Sequence, residues 1–122
     1  MLTAAAESHC GEFLLQIEGP ALGIYQMEPN THDDIWKNYL SFRPNLASRV
    51  MQQGEGARNL IGNLYYATAM ARVHYLRIPK PLPDAHDTLA LANYWKAHYN
   101  TEMGSGRCAE AIGKYEKYAF LK

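Results

Sequence analysis

Ala57-Arg58-Asn59-Leu60-Ile61-Gly62-Asn63-Leu64-Tyr65-Tyr66-Ala67-Thr68-Ala69-Met70-Ala71-Arg72-Val73-His74-Tyr75-Leu76-Arg77-Ile78 sets Leu60, Leu64, Ala67, Ala71 and Tyr75 at spacings of three or four, the period of one helical face. The spacing predicts a central helix from Ala57 to Ile78. Pro79, Pro81 and Pro83 break it, because proline removes a backbone donor and clashes with the preceding turn. Beyond them Asp84 is positioned to cap a helix that carries Leu89, Ala92, Trp95 and Tyr99 on one side and ends before Gly104. A last helix begins near Arg107, with Cys108, Ile112, Tyr115 and Ala119 on one face. Its Lys114 and Lys117 lie toward the C-terminal end, where cations suit the helix dipole.

Toward the N-terminus, Thr31-His32-Asp33-Asp34 reads as a capping box before Ile35, Trp36, Tyr39 and Leu40. It predicts a helix from Thr31 to about Phe42 that stops before Pro44. A first short helix is expected from Leu2 to Cys10, stopped by Gly11, with Glu7 in its last turns. Alternation of the strand kind is scarce, so the expected fold is mainly α, with a small β-hairpin or loop region between Gly11 and Met27. Gln52-Gln53-Gly54-Glu55-Gly56 reads as a connector. No repeat or interdomain linker divides the 122 residues, and one domain spanning 1–122 is the expectation.

Twelve lysines and arginines balance twelve acidic residues, so no large field draws the chain to nucleic acid or to an anionic membrane. No stretch approaches the ~20 apolar residues of a membrane span. Met1-Leu2-Thr3-Ala4-Ala5-Ala6 lacks the basic region and longer apolar core of a signal peptide, which predicts a chain made soluble in the cytoplasm. Cys10 and Cys108 would pair only if the chain ends meet, and buried thiols are the preferred expectation. No CxxC, HxxxH or HExxH spacing fixes metal ligands, and neither a metal nor another cofactor is expected. Almost half the residues are apolar and nine are tyrosines, a composition able to fold unaided and to line a groove with amphipathic rings.

One pair of segments points to chemistry: Glu7-Ser8-His9-Cys10-Gly11, then the glycine-flanked loop Gly19-Pro20-Ala21-Leu22-Gly23-Ile24-Tyr25-Gln26-Met27-Glu28-Pro29-Asn30-Thr31. Cleaving a glycosidic bond needs one carboxylic acid beside a groove that backbone and amide groups can line. Gln26 offers both donor and acceptor to a sugar amide or hydroxyl, and Gly23 lets the backbone approach a ligand closely. Tyr25 either stacks on a sugar or packs against the domain. Ser8, taken alone, reads as a helix-end residue bonding nearby backbone.

These segments resemble the lysozyme-like superfamily, nearest to goose-type lysozymes and soluble lytic transglycosylases. Both groups share a Glu-Ser at a helix end, a Gly-(Leu/Ile)-x-Gln-(Ile/Met/Val) loop and a later Tyr-Asn near a glycine-containing turn. Here these are Glu7-Ser8, Gly23-Ile24-Tyr25-Gln26-Met27 and Tyr99-Asn100, followed by Gly104 and Gly106. The resemblance implies a lysozyme-like fold and a muramidase that cuts the β-1,4 bond between N-acetylmuramic acid and N-acetylglucosamine in bacterial peptidoglycan. It implies Glu7 as general acid, with Glu28 as the second carboxylate; Glu18, in the intervening loop, is a further catalytic candidate that reads better as a surface acid. It also implies Ser8, Gly23, Tyr25, Gln26, Tyr99 and Asn100 as the substrate-binding set, although Tyr99 lies on the apolar side of its helix and packing explains it equally well. Hydrolysis and lytic transglycosylation both stay open.

Short length without an export signal suits a phage-encoded lytic protein or virion component, reaching the wall by injection or through partners such as virion proteins or a holin. Two alternatives stand beside the enzyme: a non-catalytic structural or wall-binding protein with a lysozyme-like groove, and an unrelated helical interaction protein. Trp36 and Trp95 read as core residues, and His74 and His98 as packed or surface side chains.

Overall fold

The computed structural model describes residues 1–16, 19–100 and 106–119. The described residues form seven α-helices: α1 Leu2–Ser8, α2 Pro29–Asn38, α3 Pro44–Met51, α4 Asn59–Gly62, α5 Leu64–Leu76, α6 Thr88–Trp95 and α7 Cys108–Ala119. A 3-10 turn covers Leu40–Phe42, and a π turn, Lys96–Asn100, extends α6. The mainly α expectation holds.

The short α1 is too brief to be stable alone. It persists because Leu2, Thr3, Ala4, Ala5, Ala6 and Ser8 are all buried, and because it packs against α7 and α6. It ends two residues before the expected stop. His9 and Cys10 already take left-handed φ values of 53° and 58° ahead of Gly11 at 101°, so the terminus uses non-glycine residues that seldom adopt this conformation.

Where the hairpin was expected, the described residues contain two isolated antiparallel bridges, Leu15 with Leu22 and Leu22 with Met27, and no strand. Leu22 and Met27 exchange backbone bonds of 2.9 and 3.1 Å. Among the described residues, Gln16 N donates to Ala21 O at 3.0 Å and Gly23 N to Leu14 O at 2.7 Å, and the Gln16 side chain accepts from Ala21 N at 3.0 Å.

Pro29 opens α2 two residues earlier than expected, with Glu28 at the cap and no side-chain capping bond. The Thr31/Asp34 capping box is therefore not formed; Asp34 instead accepts from Asn38 at 2.6 Å and Arg77 at 2.8 Å. Pro44 ends the preceding segment and also begins α3, since proline's fixed φ suits a first helical position. The central segment is split at Asn63, whose side chain accepts from Tyr66 N and starts α5 afresh. Asp87 rather than Asp84 caps α6, accepting from Ala90 N at 3.0 Å.

Two clusters form the core. Met27, Ile35, Leu40, Val50, Leu60, Tyr66, Ala67, Met70 and Val73 join the loop to α2–α5. Leu2, Ala5, Ala6, Ala92, Trp95, Ala111 and Tyr115 join α1, α6 and α7. Each fully buried large apolar side chain contributes ~1.5–3 kcal/mol. Within the first cluster the Tyr66 hydroxyl accepts from Trp36 Nε1 at 2.9 Å and meets His32 Nε2 at 2.7 Å. His32 Nδ1 in turn lies 2.9 Å from Asp33, so the buried polar groups of this core are paired.

Candidate active site

A cleft of about 560 Å³ opens where the two clusters meet, lined by Glu7, Gln16, Ala21, Gln26, Met27, Glu28, Thr31, His74, Tyr99 and Asn100. The last turn of α1, the glutamine loop, the start of α2, the end of α5 and the π turn all reach it. Residues far apart in sequence thus share one wall. Of the residues singled out in the sequence, Glu7, Gln26, Glu28, Tyr99 and Asn100 line this cleft, while Gly23, Tyr25 and Ser8 do not. Glu18 lies outside the described residues.

Glu7 is the electrostatic centre. Burial disfavours its charged form and pushes the carboxyl from 4.5 up to about 7. The indole of Trp95 donates to Oε1 at 2.9 Å, and this bond and the charge of Lys114 partly counter the burial. Lys114 reaches across from α7 and donates to the Ala6 carbonyl at 3.2 Å. A carboxyl about half protonated near neutral pH suits a proton donor.

The glutamine loop is built around Gln26, which holds a left-handed φ of 48°. Its Nε2 donates to Phe13 O at 3.1 Å and Gly23 O at 2.9 Å. Both amide hydrogens are therefore committed to the loop, which leaves Oε1 as the acceptor available to a ligand.

Gly23 has a different reason from close approach to a ligand. At φ +80° it is buried, and a Cβ there would sit 1.8 Å from the Leu60 carbonyl oxygen. Its bare backbone seats the loop on α4. Ser8 is fully buried; its hydroxyl donates to Ala4 O at 3.1 Å or Ile24 O at 2.5 Å and accepts from Gly11 N. It staples the end of α1 to the loop. Tyr25 turns away, its hydroxyl 3.1 Å from Thr68 Oγ1, into a separate apolar groove that includes Tyr75, Tyr94 and Leu91.

Tyr99 donates its hydroxyl to Tyr25 O at 2.6 Å. Burial and, secondarily, the nearby Glu7 charge push its phenol well above the ordinary range, so it stays a neutral donor. Asn100 Oδ1 accepts from Lys96 at 2.8 Å, and its side-chain nitrogen, like the Trp95 ring, lies against Gly106. Glu28 is exposed at the mouth of α2.

Some lining residues are not singled out as site residues in the sequence. Thr31 has the place assigned to a helix cap, Gln16 carries no pattern, and His74 is a single histidine near the end of α5. His74 Nε2 meets the His98 carbonyl at 3.2 Å, and Nδ1 faces Arg77 at 3.1 Å. Burial, with Arg77 adding to it, lowers His74 to about 4. The ring is consequently neutral at pH 7, with Nε2 donating and Nδ1 accepting.

Among the described residues no three histidine, cysteine, aspartate or glutamate side chains are placed to hold a metal ion, and no helix is long and apolar enough to cross a membrane. Cys10 and Cys108 are free thiols, both packed at the edge of the second cluster. The chain matches no family model, no curated protein and no solved structure.

Proposed function

We propose that the chain is a peptidoglycan-cleaving muramidase that cuts the β-1,4 bond between N-acetylmuramic acid and N-acetylglucosamine, with Glu7 as general acid. The observation that carries this reading is a carboxyl held near a pKa of about 7 in a cleft lined by amides and hydroxyls. The Glu-Ser, glutamine-loop and Tyr-Asn motifs support it through their resemblance to lysozyme-like enzymes.

The leaving oxygen between two sugars needs a proton as the ring develops oxocarbenium character. Glu7 gives that proton and becomes a carboxylate, which Trp95 and Lys114 favour. The Gln26 acceptor and the Asn100 amide suit N-acetyl and hydroxyl groups of the glycan. Glu28 is the second carboxylate among the described lining residues. As a base it would activate water for hydrolysis, whereas attack by the sugar's own hydroxyl would need only the Glu7 acid–base cycle.

Such an enzyme acts at the bacterial cell wall, and the phage lytic or virion role is part of the same proposal. Mass spectrometry of fragments from purified peptidoglycan tests it. Reducing-end muropeptides identify hydrolysis and 1,6-anhydro ends identify transglycosylation. Retention on the wall without fragments identifies a wall-binding protein instead.

A further inference from the structure

We infer that Trp95 is the positioning residue of the acid: its indole N–H reserves Oε1 of Glu7 as an acceptor and leaves Oε2 as the oxygen that carries and donates the proton. The donation step rests on the glycan-cleavage reading above; the pairing of the two side chains does not.

An indole nitrogen donates and cannot accept. In a protonated carboxyl the carbonyl oxygen accepts better than the hydroxyl oxygen, so the oxygen that faces the indole at 2.9 Å is the carbonyl oxygen and the acidic hydrogen belongs on the other. The bond spans 88 positions and joins the last turn of α1 to the last residue of α6. Trp95 is only 3% exposed and sits in the second core cluster, so its ring is fixed by packing. The chain also leaves room for it: a Cβ on Gly106 would come within 2.5 Å of Trp95 Cη2.

The other groups around Glu7 do not make this distinction. Lys114 of α7 acts on the carboxyl through its charge, while its donated bond goes to Ala6 O. Tyr75 of α5 and Tyr99 of the π turn are neutral phenols whose hydroxyls bond Thr3 and Tyr25 O. His74 and Glu28 share the cleft lining, with His74 bonded to His98 O and Arg77. Among the described residues, Trp95 supplies the hydrogen bond that tells Oε1 from Oε2.

The chain has two tryptophans, so its indole N–H resonances can be followed separately by NMR without substrate. Across about pH 5 to pH 9 the Trp95 resonance should titrate with the midpoint of Glu7, and Glu7→Gln should abolish that titration. In Trp95→Phe the Glu7 midpoint, read from its carboxyl carbon, should rise because a bond favouring the ionised form is lost. The alkaline limb of kcat should move up with it, and kcat should fall roughly tenfold to a hundredfold with KM little changed.

A Trp95 resonance that stays flat in the wild type overturns the inference, as does a Glu7 midpoint unmoved in Trp95→Phe. Should Trp95→Phe fail to fold, the wild-type and Glu7→Gln indole titrations decide alone. A folded wild type whose Trp95 titrates with Glu7 but which releases no glycan fragments supports the pairing and overturns the muramidase reading.

Discussion

The Tyr99 hydroxyl donates to the Tyr25 carbonyl at 2.6 Å, tying the π turn after α6 to the glutamine loop across 74 positions of sequence. The bond holds together two of the segments that line the cleft, and it is backed by His74 and Tyr75, whose ring centroids lie 4.9 and 5.5 Å from that of Tyr99. Tyr99→Phe keeps the ring and removes the bond, leaving a carbonyl without this donor. The expected loss of stability is about 1–2 kcal/mol, with a lower rate of glycan cleavage, read by urea unfolding and turnover on the same preparation.

Glu7 and His74 make opposite contributions to stability as pH changes. Glu7 binds its proton more tightly in the folded chain, so its contribution is complete below 4.5 and is lost as pH rises toward about 7. His74 is lowered from 6.5 to about 4, so its contribution is lost as pH falls through that window. The two slopes oppose each other in the wild type. Glu7→Gln leaves the His74 slope uncovered, so stability should rise from about pH 4 to pH 6.5. Above pH 7 this variant should exceed the wild type by up to ~3 kcal/mol, measured by chemical denaturation across the range.

Gly23→Ala places a methyl group against the Leu60 carbonyl in a backbone conformation that L side chains rarely adopt. The loop must leave its seat on α4. We expect a loss above about 2 kcal/mol, visible as a lowered Tm, together with loss of activity because Gln26 moves with the loop.

Tyr66→Phe removes the hydroxyl shared by His32 and Trp36. Both partners lose a bond at the edge of the first cluster, and the expected cost is about 2–3 kcal/mol. Because Tyr66 is not among the cleft residues, the folded fraction should retain wild-type kcat, a combination that thermal unfolding and active-site-normalised kinetics will separate.

Helical period and breaker residues located α1, α2, α5, α6 and α7 in the sequence, and the Glu-Ser and glutamine-loop motifs drew attention to Glu7 and Gln26, both of which line the cleft. Other features lay beyond such patterns. Pro44 signals a stop and a start at once, so α3 was hidden behind the end of the preceding segment. The run from Leu60 to Tyr75 keeps its period in the sequence across Asn63, where the extended backbone ends α4 and the side chain caps α5, yet Leu60 is buried and Leu64 is 58% exposed, so the period does not mark one buried face. Gly23 was legible as special, but its partner Leu60 belongs to another element. Trp95 and Lys114 reach Glu7 from α6 and α7, and only the folded chain brings those helices beside α1.

The most direct test of the central claim is the rate at which glycan bonds in purified peptidoglycan are cut by the wild type and by Glu7→Gln, at matched folded concentration near pH 6. The wild type should release muropeptides, and Glu7→Gln, which keeps an acceptor for Trp95 but has no proton to give, should be slower by at least ~10²-fold. Equal rates in the two proteins, or no release by a folded wild type, would contradict the assignment of Glu7 as the acid of a muramidase.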